Sequence, residues 1–153
     1  MKLTLTAGAL SLGALTVRDA DGQERYRFEP ASRFTWKLTD ADGQKCLSLY
    51  REWDKGGLKP LRPCHGTLGD MKFTAVWEAP FPPMIDFGSF GWKVEGDLLS
   101  RSFTLTRQGR AAAVLKRHWL RPGSSYTLDV TGTENVLEVL AVSLCIHLMR
   151  KRR

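Results

Sequence analysis

A chain of 153 residues has the length of one ordinary domain and can bury a core without disulfide or metal staples. Its hydrophobic share of 42%, with five Trp and seven Phe, excludes a disordered chain. The net charge of +7 favours anionic partners, whether phospholipid, nucleic acid or acidic protein, without choosing among them. We therefore expect a single domain over residues 1–153.

The first apolar stretch, residues 3–15, is predicted to form strands. Leu3 and Leu5, and then Leu10 and Leu12, alternate with small or polar residues, as half-buried strands do. A signal peptide would carry an uninterrupted apolar run there. We therefore reject the signal-peptide interpretation of this segment.

The three cysteines, Cys46, Cys64 and Cys145, are an odd number at unrelated spacings. They lack the pairing pattern of a secreted disulfide scaffold. We expect free thiols in a reducing compartment, and therefore a cytoplasmic protein, peripheral at a membrane if it binds one.

Two Asp-Ala-Asp-Gly turns, at residues 19–22 and 40–43, each lie between segments of alternating apolar and polar residues. An Asp-Gly turn flanked by such alternation predicts a β-hairpin. The apolar residues are Leu15, Val17, Tyr26 and Phe28 around the first turn, and Phe34, Trp36, Leu38, Leu47 and Leu49 around the second.

A third hairpin is predicted around a Gln-Gly turn at residues 108–109. It repeats the second one: the spacing of Gly43, Leu49, Arg51 and Trp53 recurs in Gly109, Leu115, Arg117 and Trp119. Since each hairpin has one apolar face and is unstable alone, several must close on a shared interior. Arg51 and Arg117 fall on the apolar face, so either the strand twists outward at the rim or the guanidinium stacks on the neighbouring Trp.

Alternation continues over residues 71–77 and 126–130, so strands are predicted along nearly the whole chain. The proline-rich residues 79–83 must form a loop, because proline cannot donate to a central ladder.

The end of the chain differs: residues 136–149 are apolar almost all round. Asn135 with Glu138 resembles a capping box, which favours a helix. Such a helix is about 21 Å long, short of the roughly 30 Å of a bilayer core, so we expect it to be buried inside the protein. Ser143 and His147 share one face of it; we favour a satisfied core histidine over a buried polar pocket.

These residues resemble the LURP-one-related family of the tubby C-terminal-like superfamily. The resemblance runs from Leu10-Ser11-Leu12-Gly13 through the first Asp-Ala-Asp-Gly hairpin, and resumes at residues 92–98. It continues through the third hairpin to Trp119 and the apolar last helix. A second Ser-Leu-Gly element is missing between Arg33 and Phe34, and residues 56–67 do not align. The resemblance implies a closed antiparallel barrel of about twelve strands wrapped around one buried C-terminal helix.

No catalytic, metal or cofactor motif is present in the sequence. In the two Asp-x-Asp-Gly segments, the twelfth position of a calcium loop holds Pro30 and Arg51 where a bidentate Glu is needed. Cys64 and His65 are adjacent, which is not a zinc-ligand spacing. The Gly-x-Ser-x-Gly elbow, the phosphate loop and the dinucleotide fingerprint are absent. We therefore expect a domain that is not an enzyme and holds no cofactor.

Two binding functions remain. The first is peripheral binding to anionic phospholipid, which the superfamily's association with phosphoinositides implies and the charge supports. Its candidate residues are Arg150, Lys151, Arg152, Arg153, Arg117 and Arg121. The second is a cytoplasmic scaffold for a protein partner or an apolar ligand, acting through loops at residues 54–70 and 80–91. We expect no nucleic-acid binding, because no aromatic–basic platform is visible.

Overall fold

A computed structural model describes the chain in eight stretches. They are residues 1–7, 14–51, 63–77, 85–86, 91–96, 102–118, 125–132 and 135–150. In them the fold is mainly β with one C-terminal helix packed on the sheet, as the sequence predicted. The strands are β1 Lys2–Thr6, β2 Leu15–Arg18, β3 Glu24–Pro30, β4 Thr35–Asp40, β5 Lys45–Arg51, β6 Cys64–Leu68, β7 Met71–Trp77, β8 Ile85–Asp86, β9 Trp92–Glu95, β10 Ser102–Arg107, β11 Arg110–Arg117 and β12 Ser125–Val130. The helix α1 is Val136–Arg150.

The strands pair antiparallel with their neighbours in the chain, from β2 through to β12. β1 pairs with β2 on one side and with β12 on the other. β8 is the shortest link, with two residue pairs to β7 and two to β9.

The predicted hairpins are confirmed, and the aspartates explain their turns. The carboxylate of Asp19 accepts hydrogen bonds from the backbone N–H groups of Asp21 and Gln23, both at 3.0 Å. Asp40 does the same for Asp42 and Gln44, both at 2.9 Å. Each turn then ends on a glycine at positive φ, 81° and 82°, which residues with a Cβ rarely adopt. The Asp-x-Asp-Gly pattern is therefore turn chemistry in this chain.

One face of the strands supplies the core, in the predicted alternation. The inward residues include Leu3, Leu5, Leu15, Val17, Phe28, Leu38, Leu47, Leu49, Phe73, Phe103, Leu105, Leu115 and Leu128, all buried. The predicted strand positions Leu10 and Leu12 and the proline-rich residues 79–83 lie outside the described residues.

The predicted helix is confirmed, and it is buried from Glu138 to Met149. Asn135 caps it: its side-chain oxygen accepts from the N–H groups of Leu137 at 3.0 Å and Glu138 at 3.3 Å. The Glu138 carboxylate is engaged elsewhere, 2.9 Å from Nη1 of Arg107 at the end of β10. This ion pair ties the start of α1 to the sheet, and α1 packs against β5, β6 and β11.

Two loop predictions are wrong in part. Residues 54–70 contain β6, and residues 80–91 contain the two-residue β8. In β6, Cys64, Gly66 and Leu68 point inward in strand alternation. The sequence did not indicate this two-residue alternation clearly, because β6 begins with Cys-His and has a glycine at its centre.

Candidate functional site

The structure describes only part of the predicted lipid-binding set. Arg117 is the half-buried last residue of β11, and Arg150 is the last residue of α1. Arg121 and residues 151–153 lie outside the described residues. Of the six candidate residues, the structure therefore describes only Arg117 and Arg150.

Arg117 and the end of α1 nevertheless lie at the same edge of the sheet. Arg117 pairs with Tyr126 across β11 and β12. The hydroxyl of Tyr126 is 2.8 Å from Nδ1 of His147, one turn before the end of α1. The last turn of α1 is therefore joined through Tyr126 to the end of β11 that holds Arg117.

The structure describes the two repeated arginines, Arg51 and Arg117, but not the tryptophans that follow them. Arg51 and Arg117 are each the last residue of a strand and are half-buried. Across the sheet, Arg51 pairs with the buried Cys64 and Arg117 with the buried Tyr126, so both fall on the apolar face, as predicted. The alternative partners, Trp53 and Trp119, lie outside the described residues.

His147 is a buried core histidine, as predicted, and Nδ1, one of its two ring nitrogens, has a hydrogen-bond partner. Its ring packs edge-on against Tyr126, with centroids 5.4 Å apart, and hydrogen-bonds to that hydroxyl. Ser143 donates to the carbonyl of Val139 at 2.8 Å, inside the helix. Both side chains are buried and make a hydrogen bond inside the core.

A groove of about 730 Å³ lies on the outer face of β4 to β7, and sequence reasoning missed it. That volume is in the range of small-molecule sites. Its polar lining residues are Thr35, Lys37, Lys45, Ser48, Tyr50, His65, Thr67, Lys72 and Thr74.

The strand register arranges all of these side chains except Lys45 in two rows. Lys37 lies opposite Ser48, Ser48 opposite Thr67, and Thr67 opposite Lys72. We call this the lysine row: two short hydroxyl side chains with a long ammonium at either end. Because short side chains stand between long ones, the outer surface is hollow there.

The second row, which we call the aromatic row, runs Thr35, Tyr50, His65 and Thr74 across the same four strands. The rings of Tyr50 and His65 stack with centroids 5.9 Å apart and planes inclined by 23°. Nδ1 of His65 is 3.0 Å from the hydroxyl of Thr74. The hydrogen bond to Thr74 on β7 therefore fixes the His65 ring of the stacked pair.

The groove is positive. Lys37, Lys45 and Lys72 line it, and none of its described lining residues is Asp or Glu. Glu29, opposite Lys37 on β3, is outside the lining, and its carboxylate lies 3.5 Å from Nε of Arg27. Ammonium and hydroxyl donors in one hollow are the groups that bind a phosphate.

The residues that form this groove are far apart in the sequence, and no motif joins them. Lys37, Ser48, Thr67 and Lys72 are outward positions of four strands, spread over 36 residues. In the sequence they are scattered polar residues. Only the register between the strands brings them into one line.

The described part of the chain contains no group of three or more His, Cys, Asp or Glu side chains placed to hold a metal ion. Its helix, at 15 residues, does not meet the length and apolarity that crossing a membrane requires.

Known proteins resemble this chain over nearly its whole length. The uncharacterized protein YxjI of Bacillus subtilis (strain 168) is 24% identical over 144 residues, which cover 89% of this chain and 85% of YxjI. An X-ray structure of an Arabidopsis thaliana protein matches with a TM-score of 0.56 at 15% identity, over 96% of this chain and 88% of the other. That likeness concerns the fold. The model of the LURP-one-related family matches residues 1–149, and the chain belongs to that family.

Proposed function

We propose that this domain is a non-enzymatic binding module that attaches peripherally to anionic phospholipid, and that the groove on β4 to β7 receives the phosphate of the headgroup. The observation that carries the proposal is the lysine row. It joins two ammonium groups and two hydroxyls across four strands, with no acid among the described lining residues.

The physical argument is electrostatic. Lysines close to an anionic membrane contribute about 1 kcal/mol each. Lys37, Lys45 and Lys72 converge on one hollow, so a phosphate placed there meets several positive charges at once. The hydroxyls of Ser48 and Thr67 add hydrogen bonds that orient it.

We further propose that the sheet is a closed barrel around α1. Two observations support this: β1 pairs with both β2 and β12, and α1 is buried from Glu138 to Met149. An apolar helix without a polar face needs such an enclosure. A rigid barrel would keep the two rows of the groove in register.

The proposal is tested by sedimenting the protein with anionic and with neutral vesicles, at low and at physiological salt. The test variant carries Lys37→Glu and Lys72→Glu. The control carries Lys93→Glu and Lys116→Glu, two exposed strand lysines outside the groove lining. Both variants lose the same net charge.

We expect the groove variant to lose at least about tenfold in affinity for anionic vesicles, since two favourable charges become repulsive. The control should retain most of the binding. Equal losses in both variants would mean that net charge, and not the groove, binds the membrane. Binding that ignores lipid charge would overturn the proposal and favour the protein-partner scaffold.

Removal of residues 150–153 is a separate arm of the same experiment. If the basic tail assists the groove, its loss weakens binding at low salt and matters less at physiological salt, because exposed charges are screened. If the tail alone binds, the truncated protein fails to sediment while the groove variant sediments normally, which contradicts the groove proposal.

A further inference from the structure

Two of the three cysteines lie against each other in the core, on elements that are far apart in the chain. Cys64 is the first residue of β6, and Cys145 lies in the second half of α1. Both side chains are fully buried, and a hydrogen bond joins the two thiols. Neither residue lines the groove, so the pair has no part in the proposed function.

The geometry of α1 places Cys145 on the β6 side independently of that hydrogen bond. His147 faces β12, because its ring packs against Tyr126. Residues two apart on a helix point about 200° apart, so Cys145 faces nearly the opposite way. In the order of the strands, β6 is six places from β12, and α1 packs against β6. Tyr126 and Cys64 also lie at the same end of the sheet, where β12 and β6 begin.

The third cysteine, Cys46, does not belong to this pair. It is half-buried on β5, and its thiol donates to the carbonyl of Gln44 at 3.5 Å. In an unfolded chain Cys46 would be the favoured partner of Cys64, because the loop between them is shorter than the loop from Cys64 to Cys145. Only the folded structure makes Cys145 the partner.

The two thiols of the pair are not equivalent. Burial, and after it the hydrogen bond with Cys64, raises the pKa of the Cys145 thiol well above its ordinary value. A hydrogen bond that raises the pKa of a thiol is one that the thiol donates. Cys145 therefore keeps its proton, and Cys64 is the sulfur that attacks an oxidant first.

We infer that Cys64 and Cys145 form a reversible internal disulfide when a small hydroperoxide oxidises them, and that the bond ties α1 to β6. Cys64 attacks one oxygen of hydrogen peroxide, which breaks the O–O bond and gives the sulfenic acid of Cys64 and one water. The Cys145 sulfur then attacks the Cys64 sulfur, forms the S–S bond and releases a second water. The two thiols lose two protons and two electrons, and the peroxide takes up both.

The position of the bond determines its effects. Because both sulfurs are buried, the reaction is limited to oxidants of about the size of water, and the pair stays reduced toward bulky thiol reagents. A disulfide that closes a long loop stabilises the folded state, because it lowers the entropy of the unfolded chain. We therefore expect the oxidised protein to melt at a higher temperature than the reduced protein.

The test uses the Cys46→Ser variant, which removes the half-buried thiol and none of the core residues. The folded protein is incubated with hydrogen peroxide, and its peptides are mapped by mass spectrometry without reduction. We expect one linked pair of peptides, which contains Cys64 and Cys145 and is lighter by two hydrogen atoms than the two free peptides. The melting temperature should rise by about 5–10 °C and return to its starting value when dithiothreitol is added.

Two controls show where and when the bond forms. Cys64→Ala and Cys145→Ala, each added to Cys46→Ser, leave one core thiol, so peroxide should form no internal link and raise neither melting temperature. Oxidation of the wild-type protein in urea should favour a link between Cys46 and Cys64, because that loop is the shorter one. The native and the unfolded wild-type protein therefore give different pairs.

Three outcomes would overturn the inference. In the first, peroxide oxidises Cys46 of the native wild-type protein and leaves both core thiols reduced. In the second, the native wild-type protein links Cys46 to Cys64. In the third, the bond between Cys64 and Cys145 lowers the melting temperature, which would show that it forms in a distorted molecule. None of these outcomes depends on vesicle binding, so the inference and the proposed function can fail separately.

Discussion

Gly66 stands in the middle of β6, where a side chain has no room. It faces inward, and Phe73, opposite on β7, covers it with its ring. A Cβ built on Gly66 would lie 2.1 Å from Cζ of Phe73, well inside van der Waals contact. The ring thus fills the space that the glycine leaves, directly beneath the strands that form the groove.

We predict that Gly66→Ala lowers the free energy of unfolding by about 1–3 kcal/mol, because a buried aromatic ring must move to admit the methyl group. Urea denaturation measures this. Gly132→Ala is the control, since nothing lies within 4 Å of the Cβ built there. Phe73→Leu in the same chain should relieve part of the loss. An additive double mutant would show that the clash is not with Phe73.

At the scale of elements, one ion pair joins the start of α1 to the sheet. Glu138 is 6% exposed and lies 2.9 Å from Arg107, whose guanidinium also lies over the Trp92 ring at 5.8 Å. The carboxylate is in the first turn of the helix, where negative charge is favoured by the helix dipole.

We predict that Glu138→Gln costs about 1–3 kcal/mol of stability, because it removes the buried charge of the pair and leaves the partly exposed Arg107 without it. The matched control is Glu24→Gln. Glu24 lies 3.0 Å from Arg27, but both side chains are exposed. That change should cost less than about 0.5 kcal/mol. Thermal denaturation of the two variants compares them, and equal costs would mean that the helix start does not depend on this pair.

At the scale of the whole molecule, the thiols report on whether the sheet encloses α1. Cys64 on β6 and Cys145 on α1 are fully buried, whereas Cys46 is half-buried. Burial, and then the hydrogen bond with Cys64, raise the pKa of the Cys145 thiol well above its ordinary value. A raised pKa lowers the thiolate fraction at neutral pH, and the thiolate is the species that reacts.

We predict that a thiol reagent such as 5,5′-dithiobis(2-nitrobenzoate) labels one cysteine, Cys46, in the native protein and all three in denaturant. Burial also raises the pKa of Cys46, so its labelling should accelerate as pH increases. Cys46→Ser should abolish native labelling. Fast native labelling of Cys145 in that variant would contradict the proposed closed barrel.

The sequence alone determined the local architecture of this protein, because local rules decide it. Two-residue alternation predicted the strands, the Asp-Ala-Asp-Gly segments predicted the first two hairpins, and the largely apolar stretch after Asn135 predicted the buried helix. Each depends on residues close together in the chain: side chains alternate across a strand, and a glycine permits a positive φ in a turn. The family resemblance also needed only the order and spacing of such segments.

The tertiary structure alone decided the partners of each strand and the site that they form. Nothing in the sequence places Lys37 in line with Lys72, or Tyr50 beside His65, because those alignments depend on the register of four strands. A shift of one residue in one pairing would turn a row toward the core. The basic tail was conspicuous in the sequence because its charges are consecutive. The groove was not, because its charges become neighbours only when the sheet forms.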